Sequence, residues 1–154
     1  MVIRITKEFS FEMAHQLEGY DGQCSNIHGH SYRLFVTVSG TPVSEADSPK
    51  RGMVMDFTEL KKIVSEHIVG KLEHALMLRQ GSKTDEALKS IYAKIVCVAY
   101  QPTCENMVIQ MAQILTEQLP QNVKLHSLKL HETQTSFAEW YAEDNGCGGQ
   151  AAGA

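Results

Sequence analysis

The strongest constraint on this chain is the placement of three histidines in two segments that alternate between apolar and polar residues. In residues 2–15 the odd-numbered positions form an apolar row, broken by one lysine, and the row ends at His15. In residues 28–39 the even-numbered positions form a second row, which starts with His28 and His30. Because strand side chains alternate between the two faces of a sheet, both patterns predict strands with imidazoles on the core-facing side.

Core-facing imidazoles need polar partners, because an unpaired buried polar group costs on the order of 1–3 kcal/mol. A metal ion is one shared partner, since neutral imidazole is a common zinc ligand. Three protein ligands leave an open position, as in catalytic sites, whereas Cys24 as a fourth ligand would close a structural site. Ordinary hydrogen bonds are the third interpretation. These residues alone leave all three interpretations open.

Cys24 has a second possible role if the site is catalytic. It lies in a glycine-containing polar loop between the two predicted strands, close in sequence to His28. A nearby dication favours the thiolate over the thiol, and a thiolate is a suitable base or nucleophile.

Length and composition limit the classes of protein to consider. With 154 residues and 43% hydrophobic content, the chain has the size and composition of one globular domain, which we assign to residues 1–143. The Gly- and Ala-rich residues 144–154 are expected to be disordered. A net charge of −4 argues against general binding to nucleic acid or to anionic membranes.

The same features indicate a cytoplasmic protein. No stretch approaches the roughly 18 apolar residues that a membrane-spanning helix needs. The first residues enter a strand pattern directly, without the apolar stretch of a secretory signal. The four cysteines are therefore expected to be reduced thiols rather than two disulfides.

Hydrophobic periodicity predicts the order β-β-α-β-α-β-β, and hence an α+β fold with a largely antiparallel sheet and two main helices on one face. The first helix follows Asp56 and is expected to end near Gly70, and the second runs from Thr103 to just before Pro120. The remaining expectations are a short strand at 53–55, a loop at 80–89, and strands at 91–100, 123–131 and 136–142.

Polar residues at strand and helix ends are further site candidates. Glu132 continues the inward row of Leu128 and Leu130, so its carboxylate needs donors. A ligand with two parallel N–H groups would satisfy it, and so would a partner within the chain. Glu73 and His74 place a carboxylate beside an imidazole, which suits proton transfer or an ordinary surface pair.

Several motifs together resemble the family of 6-pyruvoyl-tetrahydropterin synthase and 6-carboxytetrahydropterin synthase. The resemblance extends over nearly the whole chain up to Tyr141. It rests on residues 9–15 (FSFEMAH), 24–32 (CSNIHGHSY), 55–57 (MDF), 73–74 (EH), 102–106 (PTCEN) and 131–133 (HET). At Glu73 the family usually has aspartate. The spacing from Cys24 to the HGH motif looks like that of the bacterial enzyme of queuosine biosynthesis.

The resemblance implies a tunnelling fold (T-fold), in which subunits assemble their sheets into a barrel, usually a homohexamer with active sites between subunits. It implies zinc on His15, His28 and His30. It further implies Cys24 as catalytic base, with His74 and its neighbour Glu73 in a second proton-transfer group. The implied contacts to the pterin ring are Glu132 as the anchor, with Thr103 and Glu105 beside it.

The substrate that the resemblance implies is 7,8-dihydroneopterin triphosphate. In the queuosine branch, the products are 6-carboxy-5,6,7,8-tetrahydropterin, acetaldehyde and triphosphate. A pyruvoyl product and a folate-branch cleavage of the same substrate are the enzymatic alternatives. The alternative without catalysis is an oligomerisation module held by a structural zinc on three histidines and Cys24.

Overall fold

The computed structural model of the protein describes residues 1–146. Its strands are β1 (Ile3–His15), β2 (His28–Gly40), β3 (Ala75–Arg79), β4 (Ile95–Val98), β5 (Lys124–His131) and β6 (Phe137–Tyr141). Its α-helices are α1 (Phe57–Val64), α2 (Gly70–Leu72), α3 (Lys83–Leu88) and α4 (Cys104–Gln118). A π-helical turn (Ser65–Val69) joins α1 to α2, and two 3-10 turns cover Gln23–Ser25 and Glu143–Asn145.

All six strands form one sheet in the order β4-β3-β1-β2-β5-β6. The pairs β1–β2, β2–β5 and β5–β6 are antiparallel, while β3 pairs in parallel with both β1 and β4. The α+β prediction is confirmed. The sheet is mixed, but its pairing is largely antiparallel as predicted, because the two parallel pairs are short. Each parallel pair has a helical crossover: the segment of α1 and α2 leads from β2 to β3, and the segment of α3 leads from β3 to β4.

The long β1–β2 pair sets the position of the histidines. Its register places His15 opposite His28, and His30 two pairs further along, opposite Met13. The predicted rows are confirmed, because Phe11 and Met13 are buried while the intervening Glu12 is exposed. The apolar row packs into the core, and the three imidazoles continue that row to one end of the sheet.

Both predicted helix starts are confirmed. Asp56 Oδ1 accepts a hydrogen bond from the Thr58 amide at 2.7 Å, and Thr103 Oγ1 accepts one from the Asn106 amide at 3.3 Å. Such caps satisfy amides that have no partner within the helix. The start of α4 lies beside the end of β5, where the Cys104 thiol donates a hydrogen bond to the Leu130 carbonyl oxygen at 3.3 Å.

The helical segment after α1 is longer than predicted. Gly70 does not end it, because the chain continues through the π-helical turn into α2 with Gly70 in right-handed helical geometry (φ −62°). A Cβ at this position would lie 2.8 Å from the Ser65 carbonyl oxygen. Glycine is therefore required here for a close backbone approach, not for helix termination.

Other differences follow from local hydrogen bonding. Residues 53–55 form no strand, because the Met53 amide bonds to the Lys50 carbonyl within the loop at 3.0 Å. The strand predicted at 91–100 shortens to β4, since the Ile91 amide still bonds to Leu88 at the end of α3. The loop predicted at 80–89 contains α3, which is capped by Ser82 Oγ.

The tail expected at 144–154 is described only in part. Its first residues belong to the Glu143–Asn145 turn, and residues 147–154 lie outside the described part. Within residues 1–146, no helix combines the length and apolar character needed to cross a membrane.

We expect Gly70→Ala to destabilise the protein by about 1–3 kcal/mol, because the new methyl group would press on the Ser65 carbonyl. This cost opposes the helix propensity that alanine adds, which is about 1 kcal/mol. Urea denaturation measures the net effect, with the neighbouring exposed residue changed in Lys71→Ala as the control. A Gly70→Ala protein at least as stable as the wild type would contradict the close approach.

Candidate functional site

Three imidazoles meet at one end of the sheet. One ring nitrogen of each of His15, His28 and His30 lies within 4.8 Å of the other two. The ring centroids are 4.6 Å apart for His15 and His28, and 4.9 Å apart for His28 and His30. His15 is only 1% exposed, while the other two are half-buried. The cluster is thus buried on one side and accessible on the other.

Backbone carbonyls orient two of these rings. His15 Nδ1 lies 2.8 Å from the Pro102 carbonyl oxygen, and His28 Nδ1 lies 2.8 Å from that of Asn26. A carbonyl oxygen only accepts, so each Nδ1 carries the proton and each neutral ring has its lone pair on Nε2. The two Nε2 atoms are 3.1 Å apart. Two lone pairs at this distance repel unless a cation lies between them.

The third ring also has an unused nitrogen. His30 Nε2 is buried and has no hydrogen-bond partner. Burial lowers the pKa of both His15 and His30, so it favours the neutral form that binds metals. Carbonyl groups that hold the far nitrogen of a ligating histidine are typical of metal sites. The donor set and its surroundings therefore fit a divalent metal ion.

Cys24 lies beside this cluster rather than in it. Among the described residues, the group of ligand atoms within 4.8 Å of one another consists of the three histidines and does not include Cys24. The half-buried Cys24 sits in the Gln23–Ser25 turn, and it shares with His15 the lining of a cavity of about 290 Å³. This arrangement favours an open metal position over a site closed by Cys24.

The same cavity collects most of the residues predicted to act in a site. Its lining includes His15, Cys24, Thr103, Glu105 and Glu132. They come from β1, the loop after it, the start of α4 and the end of β5, so the fold joins distant parts of the chain here. The rest of the lining is Leu17, Tyr20, Cys104, Ser136, Phe137 and Ala138.

Glu132 is the carboxylate nearest to the imidazole cluster. Its Oε1 lies 3.5 Å from His15 Nε2 and 3.8 Å from His30 Nε2. The Tyr32 hydroxyl donates a hydrogen bond to the same oxygen at 3.3 Å. The predicted need for a donor is thus met in part by a tyrosine within the chain.

His74 and Glu73 contact each other, with 3.2 Å between His74 Nε2 and Glu73 Oε1. The His74 side chain is 80% exposed and lines a different cavity of about 350 Å³. Its φ of +55° lies in the left-handed region, which is unusual for a residue other than glycine. One chain therefore does not bring His74 into the cavity of Cys24 and Glu132.

Two residues that support the site were not among the predicted site residues: Tyr32, which contacts Glu132, and Glu18, which lies in the loop of Cys24. Tyr32 did carry a signal, because it continues the row of His28 and His30, and a buried tyrosine usually needs a polar partner. No local pattern marks Glu18, which ties the Cys24 loop to the rest of the fold. Its carboxylate accepts from Arg79 and from the Lys83 amide, both at 2.8 Å.

Comparison with known proteins gives this geometry a family context. The sequence profile described as 6-pyruvoyl tetrahydropterin synthase matches residues 4–143. A 6-carboxy-5,6,7,8-tetrahydropterin synthase from Haemophilus influenzae is 33% identical over 141 residues, covering 90% of this chain and 99% of that protein. A relative of the same name from Synechocystis is 41% identical over 95 residues, covering 59% and 73% of the two chains.

The fold agrees with these matches. The structure of Caenorhabditis elegans 6-pyruvoyl tetrahydropterin synthase superposes with a TM-score of 0.65 at 24% identity, covering 92% of this chain and 96% of that one. The protein is therefore a T-fold protein of the α+β class. The chain belongs to the 6-pyruvoyl tetrahydropterin synthase family.

The contacts of Glu18 predict a pH-dependent effect on stability. Hydrogen bonds from Arg79 and the Lys83 amide lower the pKa of Glu18 below its ordinary value of 4.5. A lowered carboxyl pKa stabilises the fold above the unfolded-state value, and this contribution is lost as the pH falls through the folded-state value. Glu18→Gln should therefore be less stable than the wild type at pH 7, and the difference should shrink below about pH 4.5.

Urea denaturation of both proteins between pH 7 and pH 3.5 measures this difference. The matched control is Glu66→Gln, which changes an exposed carboxylate on the π-helical turn. A stability difference for Glu18→Gln that stays constant across this range would contradict the ion pair as its source.

Proposed function

We propose that this protein converts 7,8-dihydroneopterin triphosphate and one water molecule into 6-carboxy-5,6,7,8-tetrahydropterin, acetaldehyde and triphosphate. The reaction is a cytoplasmic step of queuosine (7-deazaguanine) biosynthesis. The observation that carries the proposal is the three-histidine cluster, whose buried member His15 lines one cavity together with Cys24 and Glu132. The relatives named 6-carboxy-5,6,7,8-tetrahydropterin synthase support this choice of product.

His15, His28 and His30 are the residues that would hold a zinc ion. Zinc held by these three residues would supply Lewis acidity toward hydroxyl and carbonyl oxygens of the substrate side chain. The carbonyls of Pro102 and Asn26 keep the Nε2 atoms of His15 and His28 free as ligands.

Glu132 orients the substrate. Its carboxylate accepts two parallel N–H groups from the pterin ring, an arrangement that fixes both the position and the plane of the ring. Thr103 and Glu105 make further contacts from the start of α4, on the same cavity wall. A cavity of about 290 Å³ suits a flat bicyclic ring, and the triphosphate extends out of it.

Cys24 and His74 move the protons. The Cys24 thiolate takes a proton from a side-chain carbon of the substrate, next to the carbon at which a carbonyl develops. His74, paired with Glu73, exchanges the second proton from the opposite face. Carbon acids of this kind are deprotonated when the developing negative charge is stabilised where it forms.

The separate position of His74 supports an active site built from two subunits. In one chain, His74 and Cys24 line different cavities, and the His74 side chain is largely exposed. In a homohexamer, the His74 of one subunit completes the cavity of its neighbour. The free edges of β4 and β6 are compatible with sheets that continue between subunits.

Product analysis tests the proposed reaction. Zinc-loaded protein is incubated with 7,8-dihydroneopterin triphosphate, and the pterins and acetaldehyde are followed by mass spectrometry. We expect 6-carboxytetrahydropterin and acetaldehyde from the wild type and from the control Cys97→Ala, whose thiol lies outside the cavity. Cys24→Ala should lose at least about 100-fold in kcat while keeping its zinc and its fold, because it lacks the base.

Other results would select a different function. A pyruvoyl product would assign the protein to the tetrahydrobiopterin branch, and a different cleavage product to the folate branch. Loss of zinc and of stability in Cys24→Ala would indicate a structural site with Cys24 as fourth ligand. In that case, a folded, zinc-loaded wild type would turn over no pterin.

Mixed oligomers test the sharing of the site between subunits. Cys24→Ala and His74→Ala subunits with different tags are co-expressed, and oligomers that carry both tags are purified. Each parent should be inactive, whereas random mixing should restore about one site in four, in which both residues are intact. If the mixed oligomers stay inactive, then Cys24 and His74 act from the same chain.

A further inference from the structure

We infer that Tyr32 is a positioning residue of this site, whose buried hydroxyl holds the Glu132 carboxylate in the orientation that accepts the pterin ring. The inference rests on the proposed function, because it concerns how the ring is bound. It assigns to Tyr32 an effect on substrate affinity, and none on metal binding or on the removal of the proton.

The Tyr32 ring is fixed in place by its neighbours. It is fully buried in β2, where it pairs with Phe11 of β1. The two rings stack with centroids 5.1 Å apart and planes 11° from parallel. The edges of His30 and His15 pack against it at centroid distances of 5.5 Å and 6.2 Å. A ring held on these sides has one direction in which to present its hydroxyl.

That hydroxyl is the donor available to Glu132 Oε1. The other polar atoms near this oxygen are Nε2 of His15 and of His30. His15 cannot donate from Nε2 while its proton lies on Nδ1 toward Pro102. Among the hydrogen bonds of residues 1–146, the bond from Tyr32, at 3.3 Å, is the one that reaches the Glu132 side chain.

The consequence concerns the plane of the carboxylate. One bond from Tyr32 leaves Oε2 and the second lone pair of Oε1 free to accept two parallel N–H groups. Without it, Glu132 rotates about its side-chain bonds and faces the imidazole lone pairs without a donor. The pterin ring then has to order the Glu132 carboxylate as it binds, and this cost weakens the affinity for the substrate. The residues that carry out the reaction keep their positions.

Tyr32→Phe removes the hydroxyl and keeps the stacked ring, so folding and metal content should be retained. The matched control is Tyr100→Phe, which removes a hydroxyl from a half-buried tyrosine that lines another cavity, between β4 and α4. Three quantities are measured: zinc content, kcat and KM with 7,8-dihydroneopterin triphosphate, and the Kd of 6-carboxypterin by fluorescence. For Tyr32→Phe we expect KM and Kd to rise about five- to tenfold, with kcat and zinc within about twofold of the wild type.

A double variant tests whether Tyr32 acts through Glu132. Glu132→Gln alone should weaken pterin binding, and adding Tyr32→Phe should change the Kd by less than about twofold further. If Tyr32→Phe weakened binding independently of Glu132, the increases in Kd from the two substitutions would instead multiply.

The outcomes separate this inference from the proposed function. If the wild type forms the expected products but Tyr32→Phe binds 6-carboxypterin as Tyr100→Phe does, the positioning role is wrong and the function stands. Loss of zinc from Tyr32→Phe would also overturn it, by placing the role of the hydroxyl at the metal. If the wild type forms other products, but Tyr32→Phe and Glu132→Gln both weaken the binding of 6-carboxypterin, the proposed reaction is wrong and the positioning role stands.

Discussion

The pairing of β1 with β2 is the interaction on which the rest of the site depends. Its register puts His15 opposite His28 and places His30 on the same face, two pairs away. A slip of one residue would move a whole row to the other face of the sheet, and the imidazoles with it. The buried apolar row of the two strands prevents this slip, because Phe11, Tyr32 and their neighbours must stay in the core. The hydrophobic core thereby fixes the geometry of a polar site at its edge.

The parts of the fold that could be predicted from sequence are those with a strong local pattern. Alternation marks β1 and β2 and puts their three histidines on one face, and Asp56 and Thr103 mark the starts of the long helices by their capping chemistry. Glu132 was identified as an inward carboxylate from the parity of β5 alone. These predictions hold because each depends on neighbours within a few positions along the chain.

The parts that could not be predicted depend on contacts between distant segments. The Pro102 carbonyl that orients His15 is 87 positions away, and no pattern near His15 indicates it. The role of Gly70 depends on the π-helical turn, whose extra residue the apolar spacing does not reveal. The sequence placed His74 near the site only through the resemblance, while in one chain it lines another cavity. Tertiary packing, rather than local preference, decides all three.

Two kinds of contact orient the polar side chains around the cavity: backbone carbonyls orient the histidines, and a tyrosine hydroxyl orients Glu132. The carbonyls of Pro102 and Asn26 fix which nitrogens face the centre, and they are backbone atoms that no side-chain substitution removes. The Tyr32 hydroxyl acts on Glu132 instead, and a single oxygen atom separates tyrosine from phenylalanine. The orientation of the His15 and His28 rings is thus set by the course of the chain, whereas the orientation of the Glu132 carboxylate depends on one exchangeable side chain. Under the proposed function, a substitution at Tyr32 therefore changes substrate affinity while the three-histidine cluster is retained.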